Sequence, residues 1–357
     1  MDIRGLGYLG VRSPNAAVWK TWGPQILGFG IGDPITATPH HNTSALTGGI
    51  PKVDGATYLR MDDRMWRLAI YPGERDELAF VGWEIANRIA FKEALGVLKA
   101  AGVPFEVATE EQALERGVQG MAWFLDPVGF RHEIYWSGYY FEKSFIPGRQ
   151  PFGRGFQIGD MGIGHVVLMV PKLTEELDHF ATQVLGLHVF AGGVSIPVTG
   201  GDGGRLRTEM YRGQHNPRTH NLVYMEKPGY YGMHHMFFDY QELDDFGRSY
   251  DLVQKKSQFP LIMTMGRHQA DTFLSFYVQS PSSFVFEVAW NSMRVDDVKM
   301  VQDRPLHSFV WGLDMVGPVV MDYLKIENQG ASVPPHVRAM AAEPKVQLAT
   351  ARKATGT

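Results

Sequence analysis

Three histidines and one glutamate between positions 165 and 287 lie on short apolar runs, and side chains of these types can bind a metal ion. His165 lies in GIGHVVL, His234 and His235 in GMHHMFFDY, and Glu287 in SSFVFEVAW. Each run has the character of a β-strand, whose rigid backbone would fix the side chain. Two neutral imidazoles and one carboxylate form the ligand set typical of mononuclear non-haem Fe(II), which leaves three coordination positions open.

Simpler interpretations compete with a metal site. A histidine on a strand is in most proteins a hydrogen-bonded core or surface group, and Glu287 could be a strand-edge surface residue. Its neighbours, however, are phenylalanine and valine, and an unpaired carboxylate in such a buried run would be costly unless a cation accompanied it. Adjacent strand residues face opposite sides, so the residues alone leave open whether His234 or His235 is the ligand.

Other enzyme classes fit the chain less well. The same ligands could serve a zinc enzyme, although zinc catalysis needs only one open position. No G-x-S-x-G motif occurs, and the histidines lie on strands, which disfavours a Ser–His–Asp hydrolase. The chain has no cysteine, which excludes disulfides, thiolate nucleophiles and iron–sulfur clusters.

The elements that would position these residues occur twice along the chain. GYLGVRSPNAAVWKTWGPQILGF and GHVVLMVPKLTEELDHFATQVLGL share a glycine, a strand, a proline, a helix and a Leu-Gly stop, and LDPVGFRHEIYW resembles QSPSSFVFEVAW. Such a long-period repeat predicts a duplicated domain. Strand–helix–strands, repeated, predicts an α+β fold with mostly antiparallel strands.

The two copies differ at the residues that could do chemistry. Glu133 and Glu287 occupy equivalent strands, but Tyr8 stands where His165 stands. The first copy therefore lacks a ligand that the second copy has. We predict a structural first domain and a chemical second domain.

Two helices carry clear start signals. Asn87 can cap NRIAFKEALGVLKAAG, in which Ile89, Leu95 and Leu98 would form the buried face. Thr174 would start the helix that follows the His165 strand.

Two glycine-rich stretches carry no predicted ligand. Gly5, Gly7 and Gly10 match G-x-G-x-x-G, but they lie inside the first strand and not at the start of a helix, so no cofactor-binding residues are predicted. The stretch AGGVSIPVTGGDGGRLR is predicted to be a loop, and it lacks the Gly-Lys-Ser/Thr ending of a phosphate loop.

Length and charge set the wider frame. A chain of 357 residues exceeds the size at which a single core keeps growing. We predict an N-terminal non-catalytic domain over 1–140, a connection over 141–160, a metal-binding catalytic domain over 161–312 and a partly mobile extension over 313–357. A net charge of -4 offers no basic excess for nucleic acid. Neither a membrane span nor a signal peptide is evident, so we expect a cytoplasmic protein without a membrane partner.

At these residues the chain resembles the two-domain (type I) extradiol catechol dioxygenases of the vicinal oxygen chelate superfamily. It is similar in particular to enzymes that cleave 2,3-dihydroxybiphenyl and the catechols of steroid rings. The resemblance runs from about Ile3 to about Trp311 and includes IRGLGYL, YLRMDD, PGERDELAFVGWE, NPRTH, HHMFF, TFLSFYV and FEVAW. It implies a glyoxalase-like fold of four βαβββ modules, two per domain.

The resemblance also implies roles for individual residues. It implies the iron ligands His165, His235 and Glu287, and thus selects His235 over His234. It implies that His220 carries out the acid/base chemistry. It implies that His268 and Tyr277 hydrogen-bond the catechol, and that Asp271 supports that network. Many members have two adjacent histidines where this chain has Thr219–His220, so the polarity around His220 can differ here.

The activity implied is an Fe(II)-dependent ring cleavage that inserts both atoms of O2 into a catechol next to its hydroxyls. The expected substrate is a bulky hydrophobic aryl or fused-ring catechol, with a monocyclic alkylcatechol as the alternative. A 2-oxo-acid-dependent dioxygenase of the same superfamily is a rival, but its chemistry would not need His220, His268 and Tyr277. A non-enzymatic binding module is another, but such proteins are usually much shorter and lack the three ligands. Mn(II) suits the same ligands, and relatives of this kind assemble as homo-oligomers.

Overall fold

Two large sheets form the framework of the chain. The computed structural model describes residues 1–32, 53–141, 143–149, 153–197, 205–269, 271–296, 309–317 and 321–342. A continuous apolar core contains side chains from both sheets and from the segments between them.

The first sheet has eight strands in the order β2-β3-β4-β1-β5-β8-β7-β6. The strands are β1 Ile3–Ser13, β2 Gly30–Gly32, β3 Thr57–Arg60, β4 Leu68–Pro72, β5 Glu77–Ile85, β6 Phe105–Val107, β7 Val118–Leu125 and β8 Arg131–Gly138. Only the pairs β1/β4 and β5/β8 are parallel among the described pairings of this sheet. Two four-stranded modules thus meet along β1 and β5.

The second sheet repeats this order and adds one strand, giving β10-β11-β12-β9-β13-β16-β15-β14-β17. The strands are β9 His165–Val170, β10 Leu187–Pro197, β11 Arg205–Gly213, β12 Leu222–Glu226, β13 Gly232–Tyr240, β14 Leu261–His268, β15 Leu274–Gln279, β16 Val285–Trp290 and β17 Phe309–Gly312. β9/β12 and β13/β16 are the parallel pairs. The predicted α+β fold of two paired-module domains is therefore confirmed, whereas the exact domain boundaries stay predictions.

Among the described residues, one helix in each module connects its first strand to its second, while one further helix lies between β6 and β7 and another follows β17. The helices are α1 Trp19–Trp22, α2 Arg88–Ala100, α3 Glu110–Glu115, α4 Glu175–His179, α5 Leu243–Lys256 and α6 Pro335–Ala342, with π-helical turns at Gly23–Leu27 and Phe180–Val184. Thr174 caps α4 by accepting from the backbone N–H of Leu177 at 3.2 Å, as predicted. Within the described residues, no helix has the length and apolar character needed to cross a membrane.

The predicted buried face of α2 is partly wrong. Asn87 caps the helix as expected, accepting from two backbone N–H groups at 2.9 and 3.0 Å. Ile89 is 71% exposed, and the side chains turned to the core are those of Ala90, Phe91, Ala94 and Leu98. The small alanines at a four-residue spacing let the helix approach the sheet closely, so the bulkier Ile89 lies one position off that face.

The predicted glycine-rich loop is also wrong over much of its length. β10 continues to Pro197 and β11 begins at Arg205, with Val194 paired to Thr208 and Ile196 to Leu206. Alternating β-branched residues favour a strand despite the flanking glycines. Residues 198–204 lie outside the described residues.

The chain after β17 packs on its own two domains. Val333 and Val337 are buried, the carbonyl of Leu324 accepts from the N–H of Tyr231 at 2.8 Å, and His336 Nε2 lies 2.9 Å from the carbonyl oxygen of Pro127. The described part 321–342 is thus anchored by apolar burial, and the partial mobility of the extension stays a prediction. Residues 343–357 lie outside the described residues.

Candidate metal centre

Three neighbouring strands in the middle of the second sheet carry the predicted ligands. His165 begins β9, His235 lies on β13 and Glu287 on β16. Phe237 of β13 pairs with both His165 and Glu287, and His235 lies two residues before Phe237. Paired residues, and residues two apart on a strand, share a face, so the three side chains point to the same side of the sheet.

The donor atoms of these three side chains converge. The Nε2 atoms of His165 and His235 lie 3.3 Å apart, and each lies 3.4 Å from Oε2 of Glu287. All three residues are buried, with 2%, 6% and 2% of their surface exposed. The three donor atoms, two imidazole nitrogens and one carboxylate oxygen, form a buried triangle. A triangle of this kind fits one divalent cation.

The second oxygen of Glu287 is held by protein groups. Oε1 accepts from Ser275 Oγ at 3.0 Å and from His268 Nε2 at 2.9 Å. Burial alone would raise the pKa of Glu287, but His268, His165 and His235 outweigh it and hold the pKa well below its usual range. The carboxylate is therefore charged and fixed in orientation. Ser275 was not predicted from the sequence. The only indication is its hydroxyl, which lies two residues before Tyr277 in a mostly apolar strand and so on the same face.

His234 contacts His235 directly, contrary to the expected alternation. The two Nδ1 atoms lie 2.7 Å apart, at a register shift in the pairing of β13 with β9 between Met233 and His235. Burial first, and then the charges of His235 and Lys227, lower the pKa of His234 to about 3. A neutral His234 can accept the Nδ1 proton of His235, which leaves the lone pair of His235 Nε2 facing the triangle.

His220 lies against the first ligand. Its ring centroid is 4.1 Å from that of His165, and its Nδ1 lies 3.1 Å from Thr219 Oγ1 and 3.5 Å from Asp271 Oδ2. Burial, and then the charge of His165, lower the pKa of His220 well below its ordinary value. Burial raises the pKa of Asp271 to about 7. His220 is thus a neutral base whose Nδ1 side is engaged and whose Nε2 is left for chemistry.

His268 and Tyr277 form the opposite side of the site. Tyr277 Oη lies 3.2 Å from His268 Nε2, and the His268 ring lies 4.7 Å from the Phe273 ring and 5.2 Å from the Phe309 ring. Burial, and then Glu287, raise the pKa of Tyr277 well above its ordinary value, so the phenol stays a hydrogen-bond donor.

Apolar side chains continue from this side of the site. The cluster around Tyr277 consists of Ile262, Val285 and Leu313, with Met263, Phe309 and Met315 packed against it. Several of these residues come from β17 and the segment after it, for which the described strands of the first sheet offer no counterpart. The sequence analysis did not assign them to the site, because only the pairing of β17 with β14 brings them there.

All seven predicted site residues therefore belong to one connected set of contacts. They are His165, His220, His235, His268, Asp271, Tyr277 and Glu287. A buried position that could hold a cation lies beside the neutral His220 ring on one side and the phenol of Tyr277 with the imidazole of His268 on the other. That arrangement can bind an anionic oxygen ligand and move protons next to it.

The chain is similar to known dioxygenases over nearly its whole length, although no family model matches it. It is 32% identical over 330 residues to a biphenyl-2,3-diol 1,2-dioxygenase of Metapseudomonas furukawaii, covering 92% of this chain and 99% of that protein. It is 31% identical over 317 residues to an iron-dependent extradiol dioxygenase of Rhodococcus jostii, with 88% and 98% coverage. The crystal structure of a halotolerant catechol dioxygenase aligns with a TM-score of 0.75 and 31% identity, covering 89% of this chain and 98% of that one.

Sequence similarity of this extent, the shared fold and the converging His/His/Glu set all agree with the family that the motifs indicate. The chain is an enzyme that belongs to the two-domain extradiol catechol dioxygenases of the vicinal oxygen chelate fold.

Proposed function

We propose that this enzyme uses Fe(II) to open the ring of a bulky aryl catechol next to its hydroxyls, with both atoms of O2 entering the product. The observation that carries the proposal is the buried triangle of His165, His235 and Glu287, flanked by groups suited to catechol binding and proton transfer. Support for iron comes from the donor set and from the relative that is named iron-dependent. Mn(II) remains the alternative metal, because the same ligands suit it.

A metal ion held by His165, His235 and Glu287 would supply the reactivity toward O2 and would lower the pKa of a catechol hydroxyl bound to it. The protein contributes position and charge. Glu287 supplies one negative charge, and Ser275 and His268 hold its free oxygen so that the other oxygen keeps its direction. This fixed geometry lowers the cost of arranging the ligands when substrate enters.

We assign proton transfer to His220. Its Nδ1 side is occupied by Thr219 and Asp271, so Nε2 is the atom that takes a proton from substrate and returns it later in the cycle. Because burial keeps the ring neutral, it begins the cycle as a base.

We assign orientation of the catechol to His268 and Tyr277. Both can hydrogen-bond an oxygen of the bound catechol, and their mutual contact of 3.2 Å fixes the two groups relative to each other. We assign to Asp271 the support of the hydrogen-bonding groups of the site, because its Oδ2 lies 3.5 Å from Nδ1 of His220.

The proposed substrate size rests on the apolar residues beside Tyr277, which suit a second ring. The relative named biphenyl-2,3-diol 1,2-dioxygenase supports the same substrate class. A monocyclic alkylcatechol is the alternative. The 2-oxo-acid type of dioxygenase is disfavoured, since it has no use for His220, His268 and Tyr277. The homo-oligomeric state and the cytoplasmic location stay predictions.

A panel of catechols with one, two and three rings, assayed on one preparation of measured metal content, tests the proposal. We expect activity to follow the iron content, to need no 2-oxo acid, and to have the highest kcat/KM on 2,3-dihydroxybiphenyl or a fused-ring catechol. The highest kcat/KM on an alkylcatechol would select the alternative substrate. Activity that follows manganese would select the other metal.

A further inference from the structure

The first sheet contains positional counterparts of two of the candidate ligands. In β5, Gly82 pairs with both Tyr8 of β1 and Glu133 of β8. The equivalent residue of β13 pairs in the same way with His165 and Glu287. Tyr8 and Glu133 therefore stand in the first domain where these two residues stand in the second.

The same strand registers identify three further counterparts. Phe80 corresponds to His235, Trp66 to His220 and Trp123 to Tyr277. The three histidines of this set are thus replaced by Tyr8, Phe80 and Trp66, none of which carries an imidazole. Only the carboxylate is retained, and Glu133 is 0% exposed.

A guanidinium group meets this retained carboxylate. Arg116 donates to Glu133 from Nε at 2.9 Å and from Nη2 at 3.1 Å, and its guanidinium lies 3.9 Å from the centre of the Phe80 ring. Tyr8 donates its hydroxyl to Glu133 at 2.9 Å. Arg116 therefore contacts the counterparts of Glu287 and His235, and its positive charge lies between them.

Arg116 is also held in place by a neighbouring carboxylate of the first domain. It contacts the neighbouring Glu115, whose Oε1 accepts from the hydroxyls of Tyr58 and Tyr71 at 2.7 and 2.8 Å. The side chain is only 14% exposed. Held in this way, the guanidinium is a fixed part of the domain.

We infer that the first domain retains the cation site of the fold and fills it with its own cation, the guanidinium of Arg116. The physical reason is the retained carboxylate: Glu133 is fully buried, and its charge would strongly destabilise the domain without a buried counter-charge. The second domain can take its positive charge from a metal ion, whereas the first domain carries its positive charge on the side chain of Arg116. Without the Arg116 side chain, this site should bind a planar organic cation. The site has no part in the reaction proposed above.

Chemical rescue of Arg116→Ala in the full-length protein tests this inference. We expect the variant to unfold at a temperature lower by about 5 °C or more. Methylguanidinium, at concentrations that do not affect the unmodified protein, should restore part of that loss by occupying the vacated site. The metal content of the second domain should not change.

Arg131→Ala is the matched control. Arg131 also donates to Glu133, at 2.9 Å, but its side chain is 29% exposed, so water can replace it. We expect a smaller loss and no rescue. Equal losses for the two variants, or no effect of methylguanidinium on Arg116→Ala, would overturn the inference.

A paired substitution covers the case in which Arg116→Ala does not fold. Replacing both charges, as Arg116→Met with Glu133→Gln, removes the buried carboxylate together with the guanidinium that pairs with it. We expect this double variant to be more stable than Arg116→Met alone. A double variant that is no more stable than the single one would show that Arg116 is not the counter-charge of Glu133.

Discussion

His234 and His235 are consecutive residues of a β-strand, yet their Nδ1 atoms lie 2.7 Å apart. Regular alternation would turn the two rings to opposite faces. The register shift at Met233 and His235 instead lets His234 reach the outer nitrogen of a candidate ligand. The neutral His234 ring can thereby fix the tautomer of His235.

Removal of this contact should weaken metal binding without abolishing it. In His234→Ala we expect the Fe(II) affinity to fall by about 10- to 100-fold, as is usual when the partner of a ligating histidine is lost. Titration of the metal-free protein against a competing chelator measures this. His234→Gln, which keeps an acceptor, serves as the control and should lose less. An unchanged Fe(II) affinity in His234→Ala would show that His234 does not support metal binding.

The proposed base can be separated from the ligands by a substitution that spares the metal. His220→Ala should retain iron and bind catechol, while kcat falls by about 100-fold or more because the proton acceptor is gone. His235→Ala and Glu287→Ala should instead lose iron. Metal analysis and steady-state kinetics on the same samples distinguish the cases. Loss of metal from His220→Ala would mean that a ligand and the base have been exchanged in the assignment.

Asp271 should make the stability of the metal-free protein depend on pH. Burial raises its pKa to about 7 in the folded state, above the value of about 4 in an unfolded chain. Between these values the folded state holds more protons, so this contribution to stability is present at low pH and is lost as pH rises to 7. Asp271→Asn should therefore gain stability relative to the unmodified protein, by about 1 kcal/mol or more, between pH 4 and pH 8.

Chemical denaturation of both metal-free proteins across that range measures the difference directly. Because both proteins carry the same histidines, whose lowered pKa values act in the opposite direction, their contribution cancels in the comparison. A pH-independent difference would contradict the raised pKa of Asp271.

Phe309 should contribute to the preference for large catechols. It lies on β17, packs against the cluster around Tyr277, and its ring is 5.2 Å from that of His268. In Phe309→Ala we expect KM for 2,3-dihydroxybiphenyl to rise by about tenfold and KM for catechol itself to change less, because only the larger substrate reaches the apolar wall. The adjacent Val310, 60% exposed, gives Val310→Ala as the control. Equal changes for the two substrates would argue against this wall as a determinant of size.

The strands that bear the candidate ligands could be predicted because each combines a local apolar pattern with a histidine or a glutamate. His165, His235 and Glu287 all lie in such runs, and the repeat of strand, helix and Leu-Gly stop predicted the duplicated domain, whereas the four modules were implied by the family resemblance. These signals are local or periodic in sequence. The fold and the converging set are therefore within reach of sequence reasoning.

Features that depend on register or on distant pairing were missed. The contact of His234 with His235 arises from a register shift, and the hydrogen bond of Ser275 to Glu287 depends on the pairing of β15 with β16. The counter-charge of Glu133 comes from Arg116, which lies just after a short helix and not on a neighbouring strand. None of these relationships has a local pattern, because each is decided by how separate segments pack.

Oxygen uptake with 2,3-dihydroxybiphenyl tests the central claim most directly. The enzyme, loaded with Fe(II) without air and then mixed with oxygenated catechol, should consume one O2 per catechol, form a yellow ring-opened product, and need no 2-oxo acid. Glu287→Ala, treated identically, should consume none. Uptake that requires a 2-oxo acid, or that releases hydrogen peroxide and leaves the ring closed, would contradict the proposed extradiol cleavage at the site of His165, His235 and Glu287.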